Sequence, residues 1–343
     1  MLENEEQLAE RRLKLDYKDL RADKICVETW DRLLSQESLS QEDLRGGVSV
    51  GVPQARRGEA WQVMIARSDT SRLTELSEKF PNMTAKYNSL KSQLTSYQHA
   101  ILIDLGKINL RISTFTELQI FTGRTFPSHG YFSGALGPGQ CGLFNLLKAY
   151  SILDPEVGYC QGLPFCVGLL LMHSDEEVAF SQLKHLMFVV GLRRQFHPDM
   201  TGLQVSLYCM TRLLAETDPA LYKHLDRLGA DPSLYATPWF LTLFAAHFPL
   251  GFVCRVLDLV FLEDSASVII KVGVCLLLEL APSISRSSNL EELMTVMKEE
   301  LPSLSSSRLE DVLAQAASLN VSRQLGVYEI EFAVLQEEQS NTR

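Results

Sequence analysis

Several common catalytic and binding motifs are missing from the sequence. No G-x-x-x-x-G-K-[ST] phosphate-binding loop occurs in its 343 residues, so the chain has no nucleotide-binding loop of its own. No H-E-x-x-H pair is present either, which excludes the usual zinc-protease helix. The seven cysteines are odd in number and form no C-x-x-C pair. That pattern argues against a disulfide framework or a zinc knuckle and favours a reduced, cytosolic compartment.

Basic charge is also in short supply. The 32 lysines and arginines face 42 acidic residues, for a net charge of −10. This balance argues against a nucleic-acid duplex as partner, although a protein partner with a basic face stays open. The acidic N-terminus, residues 1–6, cannot be a secretory signal. The most apolar tract, residues 234–262, is interrupted by prolines and charges, so we expect a buried helix pair and no transmembrane segment.

Helical periodicity dominates what is present. Hydrophobic residues make up 46% of the chain, which is enough for a sizeable core. Apolar stripes at helical spacing occur in residues 143–150, 179–190, 221–228, 253–260, 290–297 and 309–316. Helix starts are predicted at Ser174-x-x-Glu177, Asp218-Pro219 and Thr237-Pro238. We therefore predict an all-α fold, arranged as one large domain or as two packed subdomains.

Three segments need separate interpretations. Residues 3–20 have early glutamates and later basic residues, which predicts an N-terminal helix that complements its own dipole. Residues 35–50 are interpreted as a polar connector before the main domain. In residues 107–123, apolar Ile108, Leu110 and Ile112 alternate with polar residues, which is a strand period inside a helical protein.

Arg124 and Gln161 stand in short motifs that we place on turns. Phosphoryl transfer needs a cation on the developing charge and a group that orients the attacking water, and a guanidinium and an amide suit those tasks. Because the chain lacks a phosphate-binding loop, the pair suggests catalytic groups lent to a nucleotide on another protein. Taken alone, each residue also has an ordinary interpretation. Arg124 would be a solvated side chain, and Gln161 would satisfy a buried backbone group.

Three further patterns follow one another along the chain. They are Gly51-Val52-Pro53 with Arg57-Gly58-x-x-Trp61, then Ile101-x-x-Asp104, then Tyr159-x-Gln161. Together they resemble the signatures of TBC-domain proteins, the Rab GTPase-activating proteins. The resemblance covers roughly residues 11–336. Flanking tracts, among them Leu192-Arg193-Arg194-Gln195, look most like the insulin-signalling, Akt-substrate subgroup.

The resemblance implies two packed helical subdomains and a dual-finger mechanism. Arg124 matches the family's arginine finger, which would neutralise charge on the transferring phosphoryl group. Gln161 matches its glutamine finger, which would orient the attacking water. The supporting or Rab-contacting positions would be Asp104, Thr125, Tyr159, Gly162, Arg57 and Trp61. The partner Rab would hold GTP and Mg²⁺, so the chain would need no cofactor and no metal of its own.

The same resemblance carries expectations about role and organisation. The chain would be an activator rather than an enzyme, acting on a GTP-bound Rab to regulate vesicle traffic. We expect it to be cytoplasmic, with peripheral association to vesicle membranes through the Rab. Upstream domains are implied too, so we expect a fragment or a short isoform. The predicted divisions are an N-terminal helix and connector (1–47), the Rab-GAP domain (48–262, with 107–123 inserted in its catalytic loop) and C-terminal helices packed on it (263–343).

Several of these positions have structural interpretations that stay open. Asp104 is expected to be a helix cap or one partner of a structural ion pair. Trp61 and Tyr159 are the kind of side chain found in cores more often than in contacts. Cys160 is interpreted as a small buried thiol rather than a nucleophile.

The chain departs from the family pattern between Asp104 and Arg124. The second signature runs Ile-x-x-Asp-x-x-Arg, yet Lys107 stands where the arginine is expected. Removing residues 107–123 restores the family spacing. Possible codons at its ends match splice-site sequences, so we interpret it as a retained in-frame intron or a gene-model artefact, with a genuine alternative exon as the rival. If the insertion displaces Arg124, the chain would be a non-catalytic Rab-binding module. An inert helical scaffold is the third interpretation.

Overall fold

The helical periodicity of the sequence is realised along the described chain. The computed structural model describes residues 24–36, 38–68, 70–106, 129–132 and 137–341. Within those ranges every regular element is helical, which confirms the all-α prediction. The helix predicted at residues 3–20 and the strand-like segment 107–123 lie outside the described residues.

The first of two compact units ends at Arg193. Its α-helices are α1 (Lys24–Leu34), α2 (Gln41–Val50), α3 (Arg57–Ile65), α4 (Thr70–Lys79), α5 (Tyr87–Lys91), α6 (Gln98–Gly106), α7 (Pro138–Leu153), α8 (Leu163–Leu171) and α9 (Glu176–Lys184). Helix α9 runs on into a π turn, His185–Val189. Shorter 3₁₀ turns occur at Gln54–Arg56 and Pro81–Thr84. Helix α7 packs against α5, α6, α8 and α9, so it organises this unit.

The second unit begins at Arg194. Its α-helices are α10 (Thr201–Thr217), α11 (Pro219–Arg227), α12 (Thr237–Thr242), α13 (Leu250–Glu263), α14 (Ser267–Glu279), α15 (Ala281–Ile284), α16 (Leu290–Glu299), α17 (Ser306–Ser318) and α18 (Ser322–Asn341). One 3₁₀ turn, Leu192–Phe196, contains the division between the units, and another lies at Pro232–Leu234. Helix α14 packs against α10, α13 and α17.

The most apolar tract of the sequence lies largely in the core of the second unit. Every residue of α13 from Leu250 to Leu262 is buried, including the predicted stripe at residues 253–260. The short helix α12 precedes it, so the prediction of a buried helix pair is confirmed. In the described part of the chain, no helix combines the length and the apolar character needed to cross a membrane.

Charged groups inside the second unit are paired. The guanidinium of Arg255 lies 3.3 Å from Asp258 Oδ2 and 3.3 Å from Glu310 Oε1, and none of the three side chains is more than 6% exposed. Lys271 Nζ lies 2.6 Å from Glu263 Oε1 and also donates to the Leu319 carbonyl oxygen. Because a buried charge is costly without a partner, the Arg255–Glu310 pair ties α17 to α13.

Two of the three predicted helix starts are displaced by one residue. Asp218 caps α11 as predicted, accepting hydrogen bonds from the amides of Ala220 and Leu221. For α9 the cap is Asp175 rather than Ser174, because its carboxylate accepts from the amide of Val178. Thr237 already lies inside α12, and its hydroxyl donates back to the Ser233 carbonyl oxygen instead of capping the helix.

The interpretation of residues 35–50 as a polar connector is wrong for most of its length. Helix α2 occupies Gln41–Val50. Ser40 and Asp43 form a reciprocal capping box at its start, which satisfies two backbone amides that a helix end leaves without partners. Leu44 and Val48 are buried, so the polar appearance of the segment reflects only the solvent face of an amphipathic helix.

Because the Arg255–Glu310 pair is buried, a Glu-to-Gln substitution there should cost more stability than the same substitution in an exposed pair. Glu310→Gln should lower the free energy of unfolding by about 3 kcal/mol, because Arg255 then loses one of its two carboxylate partners in the core. Urea denaturation measures the change. Glu329→Gln is the matched control, since Glu329 pairs with Arg194 where the side chains are 41% and 49% exposed. Such a pair contributes less than about 1 kcal/mol, so equal losses would contradict the role of burial.

Candidate functional site

Gln161 lies in the loop between α7 and α8, at the edge of a buried helix pair. The side chain is exposed, and it makes no hydrogen bond to any residue in the described part of the chain. The next residue, Gly162, is buried and occupies the N-cap position of α8 with φ of 106°. The arrangement argues against Gln161 satisfying a buried backbone group, and it leaves the amide available to a partner.

A glycine is required at the start of this loop. Gly158 has φ of 61°, a left-handed conformation that residues with a side chain rarely adopt. A Cβ atom there would lie 2.3 Å from Cζ of Tyr97, which packs directly over the backbone. Tyr97 is a site residue that the sequence analysis missed, because no linear pattern links it to Gly158.

Tyr159 connects the loop to α6. Its hydroxyl donates to Asp104 Oδ2 at 2.7 Å, and Asp104 lies near the end of α6. Burial, and after it the hydrogen bond to Asp104, raises the pKa of Tyr159 above its usual range, so the phenol stays protonated and remains a donor. Asp104 was expected to be a helix cap or an ion-pair partner; the bond to Tyr159 gives it a different structural role.

Arg57 and Trp61 are buried in α3 rather than displayed at the surface. Arg57 Nη2 donates to the Val52 carbonyl oxygen at 2.9 Å. Trp61 meets the ring of His173 edge-on, with 5.2 Å between ring centroids. Gly58 lies so close to this segment that a Cβ atom would be 2.2 Å from the His173 carbonyl oxygen. Trp61 and Gly58 therefore hold α3 against the chain that follows α8, whereas Arg57 is bonded to the segment that precedes α3.

The structure does not bring all the predicted site residues together. Arg124 and Thr125 lie outside the described residues, so no distance joins the predicted arginine finger to Gln161. Gln161, Tyr159, Asp104 and Gly162 do form one connected group at the α6–α8 end of the first unit.

A hydrolase-like sequence pattern stands at the C-terminal end of α2. Residues 47–51 have the form G-x-S-x-G, which in hydrolases places a nucleophilic serine on a strand-to-helix turn. Here the serine lies on α2, and its hydroxyl donates to the Gly46 carbonyl oxygen at 2.8 Å, as helical serines often do. The context argues against a serine nucleophile.

Cys160, beside Gln161, is half-buried. Burial, with a smaller contribution from Asp154, raises the pKa of its thiol to about 12. The thiol is therefore protonated at neutral pH and is a poor nucleophile. This state supports the interpretation of Cys160 as a packing residue.

Comparison with known proteins identifies the family of the chain. The family model described as the Rab-GTPase-TBC domain matches residues 54–284, and the chain belongs to this family. Human TBC1 domain family member 1 is 44% identical over 345 residues, an alignment that covers 98% of this chain and 28% of that protein. Mouse TBC1 domain family member 4 is 42% identical over 342 residues, covering 97% of this chain and 24% of that protein.

A solved structure shares the fold. The Chlamydomonas flagellar RabGAP TBC domain superposes with a TM-score of 0.68 at 21% identity, over 93% of this chain and 97% of that one. Identity at this level establishes the fold alone. The chain spans about a quarter of the length of the two TBC1 relatives.

The Tyr159–Asp104 bond can be measured with a double-mutant cycle. Tyr159→Phe and Asp104→Ala should each lower the free energy of unfolding, and the double variant should lose about 1–2 kcal/mol less than the sum of the two losses, because a hydrogen bond to a carboxylate is lost only once. Chemical denaturation of the four proteins supplies the values. Strictly additive losses would show that the bond contributes nothing.

The cysteines should differ in their reactivity toward iodoacetamide. Cys141 is the exposed one of the seven, so we expect it to be alkylated first at neutral pH. Cys160 should react at least about 10-fold more slowly, and its rate should keep rising above pH ~8.5, where an ordinary thiol levels off. Peptide mass spectrometry follows each site, with the unfolded chain as the control. Equal rates in the folded chain would contradict the raised pKa.

Proposed function

We propose that the chain is a GTPase activator for Rab-family small GTPases. The observation that supports this most directly is the placement of Gln161, an exposed amide on a loop that two glycines with positive φ and a partly buried hydrogen bond hold in shape. Membership of the Rab-GTPase-TBC family supplies the partner class. The activity belongs to the partner, so the chain is an activator rather than an enzyme.

In this proposal two side chains complete the partner's site. Gln161 orients the attacking water, and Arg124 places its guanidinium fork on the developing phosphoryl charge. Thr125 follows Arg124 in the sequence and contacts the Rab. Gly162 is buried at the N-cap of α8, so it supports Gln161 and does not touch the Rab. GTP and Mg²⁺ are held by the Rab, so no cofactor of this chain enters the reaction. Contributions of this kind are typically worth ~10³–10⁵ in rate.

The remaining site residues act by positioning. Tyr159 and Asp104 fix the glutamine loop to α6, the helix that ends at Gly106. In the sequence, residues 107–123 and then Arg124 follow that helix. Arg57 and Trp61 are buried, so their role is to hold the helical frame and not to touch the Rab. We propose further that the chain acts in the cytoplasm and associates peripherally with vesicle membranes through its partner.

Residues 107–123 favour a second candidate function. They precede Arg124 directly and replace the two-residue spacing that the family pattern has after Asp104. A finger must be placed to well within about 1 Å, so an insertion at this point could separate binding from catalysis. The chain would then be a Rab-binding module that does not accelerate hydrolysis.

Single-turnover GTP hydrolysis by a panel of GTP-loaded Rabs tests the proposal. The chain should accelerate at least one Rab, and Gln161→Ala or Arg124→Lys should remove about 10³-fold or more of that acceleration. Gln315→Ala is the matched control, because Gln315 is an exposed glutamine on α17 of the second unit. A Gln161→Ala protein as active as the parent chain would refute the glutamine's role.

A variant lacking residues 107–123 separates the two candidates. Activity in both forms supports the activator with a tolerated insertion. Activity in the shortened form alone, with Rab binding in both, supports the binding module. Absence of binding and of acceleration in both forms would contradict both functions and leave a helical scaffold.

A further inference from the structure

Arg193, from the tract that resembles one subgroup of the family, pairs with two carboxylates of the first unit outside the site described above. Its Nε donates to Asp154 Oδ2 at 2.7 Å, and its Nη2 donates to Asp154 Oδ1 at 2.9 Å. The Asp154 side chain is fully buried and that of Arg193 is 16% exposed. This fork-on-carboxylate geometry fixes distance and angle together, which a lysine cannot do.

Asp154 stands where α7 gives way to the glutamine loop. It is the C-cap residue of α7, and its carboxylate also accepts hydrogen bonds from the Tyr150 hydroxyl at 2.9 Å and from the Val157 amide at 3.4 Å. Its carbonyl oxygen accepts from the Gly158 amide at 2.8 Å. The residue therefore holds the first turn of the loop through both its side chain and its backbone.

Arg193 reaches the loop directly as well. Its Nη2 pairs with Glu156, an exposed residue of the loop, and its guanidinium lies 4.9 Å from the ring centroid of Phe80. Burial against Phe80 keeps water away from the pair, which strengthens each of its charge-assisted contacts. One guanidinium thus joins the end of α7, the loop and the segment after the π turn.

We infer that Arg193 and Asp154 are positioning residues that hold residues 155–162 in the conformation that presents Gln161. The inference rests on the proposed function, because Gln161 is the group whose placement would matter. Arg193 pairs with Asp154 at the end of α7 and with Glu156 in the loop, so a single guanidinium restrains both. A displacement of about 1 Å at a catalytic group can cost ~100-fold in rate, so a loosened loop should lower activity before it lowers binding.

The kinetic test separates maximal rate from affinity. In single-turnover assays with an accelerated Rab, Arg193→Lys and Asp154→Asn should each lower the maximal rate about 10–100-fold. The chain concentration that gives half the maximal rate should change less than about 3-fold, because the exposed surface is retained. Arg194→Lys is the matched control, since its pair with Glu329 is exposed and lies in the second unit. Glu156→Gln is a milder variant that keeps the buried fork, so its maximal rate should lie between those of Arg193→Lys and of the control Arg194→Lys.

Hydrogen–deuterium exchange keeps the inference testable whatever the kinetics show. Arg193→Lys should speed exchange of the Val157 and Gly158 amides while leaving α8 unchanged, and the melting temperature reports whether the variant is folded. Unchanged exchange, or full activity in both variants while Gln161→Ala is inactive, would overturn the positioning role and leave the proposed function standing. A parent chain that accelerates no Rab would instead refute the proposed function, and the exchange result would then decide only whether Arg193 and Asp154 hold the loop.

Discussion

The backbone conformation of residues 158–162 is the constraint on which the candidate site depends. The loop is short, because α7 ends at Leu153 and α8 begins at Leu163, and both helices are largely buried. Gly158 and Gly162 take positive φ angles, which cost other residues roughly 1–2 kcal/mol, and Tyr97 leaves no room for a side chain at the first of them. The direction of Gln161 is therefore set by glycine torsions between two fixed helix ends, and not by contacts of the glutamine itself.

Apolar burial and polar pairing contribute differently to the structure of the first unit. Side chains such as Leu146 and Leu170 supply the burial that keeps α7 and α8 together, but apolar contacts tolerate small shifts. The Tyr159–Asp104 bond and the Asp154–Arg193 fork are less tolerant, because a partly or fully buried donor or acceptor loses its partner when the geometry changes. A loop anchored by such bonds can be exposed and still be held in one conformation, which is what a functional loop on a rigid scaffold requires.

The sequence predicted what depends on periodicity and missed what depends on distance along the chain. The stripe at residues 253–260 identified α13 because its apolar residues recur at helical spacing, although the structure buries every residue from Leu250 to Leu262. Residues 41–50 were assigned wrongly because polar residues on the solvent face outnumber Leu44 and Val48. The cap of α9 differs from the prediction by one residue because both Ser174 and Asp175 are cap-forming residues, and the Asp175 carboxylate is the group that caps the helix. Tyr97 over Gly158 and Arg193 on Asp154 join distant segments, and no local pattern encodes either contact.

The two predicted fingers stand in different sequence contexts, and that difference decides what each kind of measurement can reveal. Gln161 lies between fixed helix ends, whereas Arg124 follows residues 107–123. Each doubling of loop length costs only about 0.6 kcal/mol, so such an insertion changes the free energy of unfolding little. The rate of catalysis does depend on the insertion, because the guanidinium must be placed to within about 1 Å. Folding and Rab binding are therefore compatible with an Arg124 that reaches the phosphoryl group and with one that does not. Only the rate of hydrolysis distinguishes the two cases.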